Sequence, residues 1–211
     1  MPRKTQRNTK GKIISAAWKL FYEQGYENTT VEDILDLSGT SKGTFYHYFE
    51  GKDALLGTLS VLFDEKYAEL IPTIPADMNA IDVLAYLNRE LFSMIDASIS
   101  LELLARLLST QLITRGEKHL LDRNRVYFRL LRETVTKGQE RGEIRTDMTV
   151  NEITKAYALM ERALMYDWCL CGGEYSLSRY SADMMAMFLG NYRKLFLSIK
   201  NSIDFGLFNK H

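Results

Sequence analysis

The stretch Ser41-Lys-Gly-Thr-Phe-Tyr-His-Tyr-Phe49 sets two phenylalanines, Phe45 and Phe49, one helical turn apart. With both turned inward, the 100° step per residue of a helix sends Gly43, Thr44, Tyr46 and His47 to the opposite face, with Lys42 at the helix start. That face carries chemistry suited to DNA. Lysine reaches a phosphate or a guanine edge, threonine hydrogen-bonds or touches a thymine methyl, histidine bonds phosphate or base, and tyrosine offers a hydroxyl and a ring. Gly43 lets a backbone approach closely. Taken singly, Tyr46, His47 and Tyr48 read first as ordinary aromatic surface packed on neighbouring helices; the combination shifts the reading toward a groove-reading face.

The elements that must position these residues are short and capped. Ser41 is placed to N-cap a helix over Lys42 to Phe49. Upstream, Thr30-Val-Glu-Asp33 has the form of a threonine N-cap with an acid three residues on, and Val31, Ile34 and Leu35 supply a buried side that ends near Ser38-Gly39. Two short helices joined by Ser38-Gly39-Thr40 make a helix-turn-helix, whose second helix enters a major groove while the first crosses it. Their N-termini, with free amides, are expected at phosphates, assisted by Thr30 and Ser41 and by Lys52 on the next helix. A first helix over about 8–24 carries Ile13, Ile14, Ala17, Leu20 and Phe21 on one face and stops at Gly25.

Beyond this region the chain promises long helices. Proline occurs only at positions 2, 72 and 75, glycine is absent from 58–115, 117–137 and 143–171, and apolar residues recur at three and four without strand-type alternation. The fold class is therefore all-α. A fourth helix runs from Asp53 to Pro72, joining two domains divided as 1–52 and 53–211; further helices are expected at about 78–97, 100–114, 117–141, 149–171 and 177–203.

Composition narrows the function classes. The 27 basic and 27 acidic residues cancel, yet Arg3, Lys4, Arg7, Lys10 and Lys12 crowd the first twelve residues without an acid. No apolar run approaches the roughly 18 residues that span a bilayer, and none follows the basic start as a secretory signal does, so a cytoplasmic protein without membrane contact is expected. Cys169 and Cys171 diverge by about 200° on a helix and read as reduced structural thiols. His47, His119 and His211 have no ligand-spaced neighbours, so neither a metal nor another cofactor is expected. With no nucleophile–base pairing, metal cluster or phosphate-binding glycine loop, nothing points to an enzyme.

In the second domain, Ile153, Ala156, Tyr157, Met160, Leu164 and Trp168, and then Met184 through Ile203, are apolar over more than the roughly 100° that one buried face needs. The last two helices are therefore expected to pack both on their own core and on a twin subunit. Phe92, Met94, Tyr127, Phe128, Met160, Tyr166 and Trp168 are candidates for lining a pocket, adaptable enough for an apolar or aromatic ligand, although each also serves as plain core. Glu161 and Arg162 stand mid-helix and can orient a polar ligand or simply form ion pairs. The arginine-rich run Arg115, Lys118, Arg123, Arg125, Arg129 and Arg132 spreads around its helix as a solvated face does.

The residues from Thr29 to Leu56, together with Ala17-Trp-Lys-Leu-Phe21 and Gly25-Tyr26, closely resemble the TetR family of bacterial transcriptional regulators. The resemblance is specific over about residues 8–60; the remainder shares only length and helical character. It implies a homodimer in which an N-terminal three-helix head reads a pseudo-palindromic operator and a helical regulatory domain binds a small effector that releases the DNA. Thr40 stands where the family's turn usually has an apolar residue. A TetR-like activator and a helical protein-interaction module are the alternatives.

Overall fold

The computed structural model describes residues 3–113 and 118–194. Within these residues ten α-helices follow one another: α1 (Arg3–Gln24), α2 (Val31–Ser38), α3 (Lys42–Tyr48), α4 (Lys52–Leu56), α5 (Leu59–Leu70), α6 (Ala80–Ser98), α7 (Leu101–Ile113), α8 (Val126–Glu140), α9 (Val150–Leu170) and α10 (Leu177–Gly190). Among the described residues there is no strand, only one isolated bridge between Ile144 and Arg193.

Helices α1–α4 form a small head around Ile13, Ala17, Phe21, Tyr26, Ile34, Phe45, Phe49 and Leu55, all buried. Each fully buried leucine, isoleucine or phenylalanine removes enough apolar area to contribute roughly 1.5–3 kcal/mol, so this cluster suffices to fix three short helices that would not persist alone. The remaining helices form the body: α6 packs on α10 and α8, α8 on α9 and α5, and α7 on α9 and on α4 of the head.

Three expectations need correction. The joining helix is broken in two, because Thr58 and Val61 bond back three residues, to Leu55 and Thr58, instead of four. The Thr58 hydroxyl holds the break by donating to the Leu55 carbonyl (2.6 Å) and accepting from the Trp18 indole (2.8 Å). The helix expected over 117–141 begins only at Val126; residues 118–125 hold a short 3₁₀ turn, His119–Leu121, and loop. The last helix, expected to reach residue 203, ends at Gly190; Leu195, Phe196, Ile199 and Ile203 lie outside the described residues, as does Arg115.

Long-range carboxylates stitch the body together. Glu143 accepts from the first amide of α6 (Ala80 N, 2.7 Å), Asp64 from Tyr127 N near the start of α8 (3.4 Å), and Asp96 from Leu177 and Ser178 N at the start of α10 (3.0 and 2.9 Å). Each satisfies an N-terminal amide that has no partner within its own helix. Partial burial pushes the Asp96 carboxyl upward, but the bonds from Ser178, Ser176 and Leu177 win and hold it below its ordinary value. Gly138 lets α8 approach α6: a Cβ there would lie 2.6 Å from that of Ala80 and 2.7 Å from Ile144 Cδ1.

Candidate functional site

The head presents α3 as the sequence requires. At the start of α2, Thr30 Oγ1 accepts from Asp33 N (3.1 Å) and Asp33 Oδ2 accepts from Thr30 N (2.8 Å), a reciprocal capping box. The backbone and hydroxyl donors of Thr30 hold the exposed Asp33 carboxyl below its usual range. Gly39 closes α2 in the left-handed region (φ 64°), where other residues are strained, and turns the chain into Ser41, whose Oγ accepts from Thr44 N (3.2 Å). Thr40, the departure from the family pattern, costs little: its hydroxyl bonds that of Ser38 at 2.7 Å.

Phe45 and Phe49 are 0% and 5% exposed, which fixes the rotation of α3. Ser41, Lys42, Gly43, Tyr46 and His47 are exposed on the other side, and Thr44 is half-buried with its hydroxyl on Ser41 (2.8 Å). Tyr46, 47% exposed, is braced edge-on by Phe45 (5.3 Å), and His47 by Tyr48 (4.8 Å). The Lys42 ammonium lies 3.5 Å from Glu32 on α2, both well exposed, so it is free to exchange that acid for a phosphate at little cost. This is one continuous ridge of donors and rings on a helix seven residues long.

Lys52 departs from expectation. Its ammonium turns inward, donating to the carbonyls of Tyr26 (2.7 Å) and Thr29 (2.8 Å) and lying 4.2 Å over the Tyr26 ring. It therefore ties the loop between α1 and α2 to α4 before it can serve a phosphate. Tyr26 is the hub of this joint: its hydroxyl donates to Asp53, and the guanidinium of Arg106, on α7, lies 4.8 Å over the ring while pairing with Glu27 and with Glu102 (3.1 Å). Burial first, and then Asp53, push the Tyr26 phenol well above its ordinary value. The sequence reading missed Arg106, because nothing local marks a body arginine whose partners lie some 80 positions earlier.

The seven pocket candidates do not converge on one cavity. Phe92, Phe128 and Trp168 are buried core, and the Trp168 indole donates to Tyr175 O (2.8 Å). Met94 lines an outer groove with Trp18 and Tyr22, Met160 is half-buried, and Tyr166 is 48% exposed, outside the interior. Tyr127 alone of the seven borders the interior cavity, where Glu161 accepts from the Tyr127 hydroxyl (2.6 Å) and Asn88 Nδ2 (3.0 Å). Glu161 is the only buried carboxylate among the described residues, and burial raises its pKa against the pull of these bonds. Tyr67 and Asn88 belong to the same cluster and were overlooked. A visible signal existed: Asn88 interrupts the apolar series Leu84, Leu87, Leu91.

Of the thiols, burial pushes Cys169 up to about 11, and Cys171 is exposed. Among the described residues no helix is long and apolar enough to cross a membrane, and no group of three or more His, Cys, Asp or Glu side chains is placed to hold a metal ion.

Known proteins resemble both parts of the molecule. Residues 13–59 match the family model described as bacterial regulatory proteins, tetR family. A 46-residue stretch is 52% identical to an HTH-type transcriptional regulator of Lactococcus lactis, covering 22% of this chain and 24% of that protein. Over 187 residues, 88% of this chain and 93% of the relative, the sequence is 23% identical to the HTH-type transcriptional repressor KstR2 of Mycobacterium tuberculosis. The fold is similar to that of Thermus thermophilus FadR, a repressor solved with lauroyl-CoA, at a TM-score of 0.67 and 19% identity over 92% of this chain and 97% of that one. The capped helix-turn-helix at one end is thus that of the tetR family of bacterial regulatory proteins, and the helices behind it share the fold of T. thermophilus FadR.

Proposed function

We propose that the chain is a cytoplasmic, dimeric repressor, not an enzyme, that reads a pseudo-palindromic operator through α3 and is released by a small, largely apolar or aromatic effector bound in the body. The observation that carries this reading is the exposed ridge of Lys42, Gly43, Tyr46 and His47 on a helix whose rotation is fixed by two buried phenylalanines. In this division of labour the head, expected as residues 1–52, supplies DNA contacts, and residues 53–211 supply dimerisation and effector binding. Thr30, Ser41 and Thr44 position phosphates at the two helix starts, and Tyr46 and His47 read base edges.

The dimer reading rests on two solvent-facing apolar stripes. Leu159, Tyr166 and Leu170 on α9 are 60%, 48% and 69% exposed, and Tyr180 and Met187 on α10 are 42% and 70% exposed. Spacings of four and seven place each set along one side of its helix, as a two-fold four-helix interface requires. The T. thermophilus likeness, solved with lauroyl-CoA, supports an effector with a large apolar part.

The test is selection of genomic fragments by the purified protein at two salt concentrations. A two-fold-symmetric motif is expected, with log affinity falling by about 0.9 per neutralised phosphate per log unit of salt. Recovery without a motif would overturn operator reading. In parallel, Leu159→Glu with Met187→Glu is expected to yield monomers by light scattering and to abolish binding to the full motif.

A further inference from the structure

The interior of the body carries more polar chemistry than folding needs. Glu161, 2% exposed on α9, already accepts from Asn88 and Tyr127, while Tyr157 donates its hydroxyl to Leu84 O (2.8 Å). Around it, the Tyr67 hydroxyl, Asn88 Oδ1 and Thr154 Oγ1 are buried without any hydrogen-bond partner. An unmatched buried polar atom lowers stability, and a core built for stability alone would carry leucine at these places. Tyr67 and Glu161 both border the same partly open recess of about 20 Å³, the room of about one water.

The other walls define what belongs there. Phe63, Leu91, Leu120 and Met165 make an apolar side. The charges cancel: Arg125 is spent on Asp64 (2.9 Å) and on Ser60 O (3.0 Å), and Glu161 stands beside Arg162. A net-neutral lining favours a neutral guest, since a cation or an anion would find no free counter-charge to offset its desolvation. Leu120 comes from the short 3₁₀ turn His119–Leu121 and Arg125 from the N-cap of α8, so one wall can yield without unwinding an α-helix.

We infer that this cavity is the recognition end of the effector site, and that it takes a neutral apolar molecule bearing a hydroxyl group, which donates to Glu161 and accepts from the Tyr67 hydroxyl. A hydroxyl does both with one atom, whereas an ether or ketone only accepts and a plain hydrocarbon end does neither. Leu120 moves aside to admit the apolar part. The inference rests on the effector-responsive reading above and adds the chemical class that the site selects.

The probes are 2-naphthol and 2-methylnaphthalene, which have nearly the same shape and differ by hydroxyl against methyl. Binding to the full-length protein is read by titration calorimetry and by the shift in Tm. The naphthol is expected to bind at least tenfold more tightly than its methyl analogue, and Tyr67→Phe or Glu161→Gln to erase most of that preference while leaving the weaker ligand's affinity unchanged. Equal binding of the two probes, no binding of either, or a preference that survives both substitutions would each overturn the proposal. The two readings fail separately. Naphthol that binds through Glu161 without altering capture of the selected DNA fragments keeps the site and removes the release mechanism, whereas release by lauroyl-CoA with no naphthol binding keeps the repressor and removes this site.

Discussion

The head and the body satisfy their polar groups in opposite ways. In the head, the caps are local: Thr30 with Asp33, and Ser41 with Thr44, three residues apart in each case. In the body, Thr149 with Glu152 follows the same local rule, but Glu143, Asp64 and Asp96 each reach more than 60 positions along the chain to cap a helix. Moreover, the three unpartnered buried side-chain atoms found among the described residues all lie in the body. The head is thus a finished object that presents its chemistry outward, whereas the body keeps an unfinished polar cluster inside. A reading surface works when everything beneath it is rigid, and a binding interior works when something is left for the ligand to complete.

The contrast can be broken most forcefully in the head. Phe45→Ala is expected to cost about 3–5 kcal/mol, the usual loss for a fully buried phenylalanine, in urea unfolding followed by Trp18 fluorescence in a Trp168→Phe background. Retention of DNA binding at full stability would show that α3 is not anchored as described. Next comes Lys52→Met, for which about 1.5–3 kcal/mol of stability is expected to vanish with the two charge-assisted bonds to Tyr26 and Thr29 carbonyls. A variant of unchanged Tm but weakened affinity for all DNA would return Lys52 to the phosphates. Thr30→Ala removes a cap and is expected to cost about 1 kcal/mol, measured on the same urea curves.

The smallest effect near neutral pH sharpens the body's side. Glu161 has a raised pKa in the folded state, so its protonated form is favoured by folding, and the stability this gives is present below the ordinary carboxylate range and lost as pH rises through the folded value. Asp33 runs the other way: its lowered pKa gives stability that is present above the ordinary value and lost as pH falls. The Tm of Glu161→Gln should therefore gain on wild type as pH rises from 4 upward, and that of Asp33→Asn should fall behind over the same interval. A Glu161→Gln difference that is flat with pH would mean that the carboxyl is solvated, contrary to its burial.

The head was legible almost residue by residue because its signals are short: cap spacing, Gly39, and two phenylalanines one turn apart. The inward turn of Lys52 was not, since a lysine at a helix start serves a phosphate or a carbonyl equally well and only the folded loop decides. In the body, helical character was legible, but the break at Gly57–Thr58 depends on Trp18 some 40 positions away, and the loss of helix over 118–125 accompanies the pairing of Arg125 with Asp64. The pocket candidates are marked in the sequence only by size and softness, properties they share with core side chains such as Phe92 and Phe128. Asn88 and Glu161, polar residues in apolar series, were the more telling pair.

Arg106 sets a condition on recombining such proteins. Exchange of the first 57 residues between two regulators would move the whole DNA-reading head, yet it would leave behind the body cation that grips Tyr26 and Glu27. On a recipient body lacking a cation at that place on α7, Glu27 loses its Arg106 partner and the Tyr26 ring keeps Lys52 as its one cation beside the Phe21 ring. Compatibility of a transplanted head is therefore decided by a residue that travels with neither the motif nor the operator.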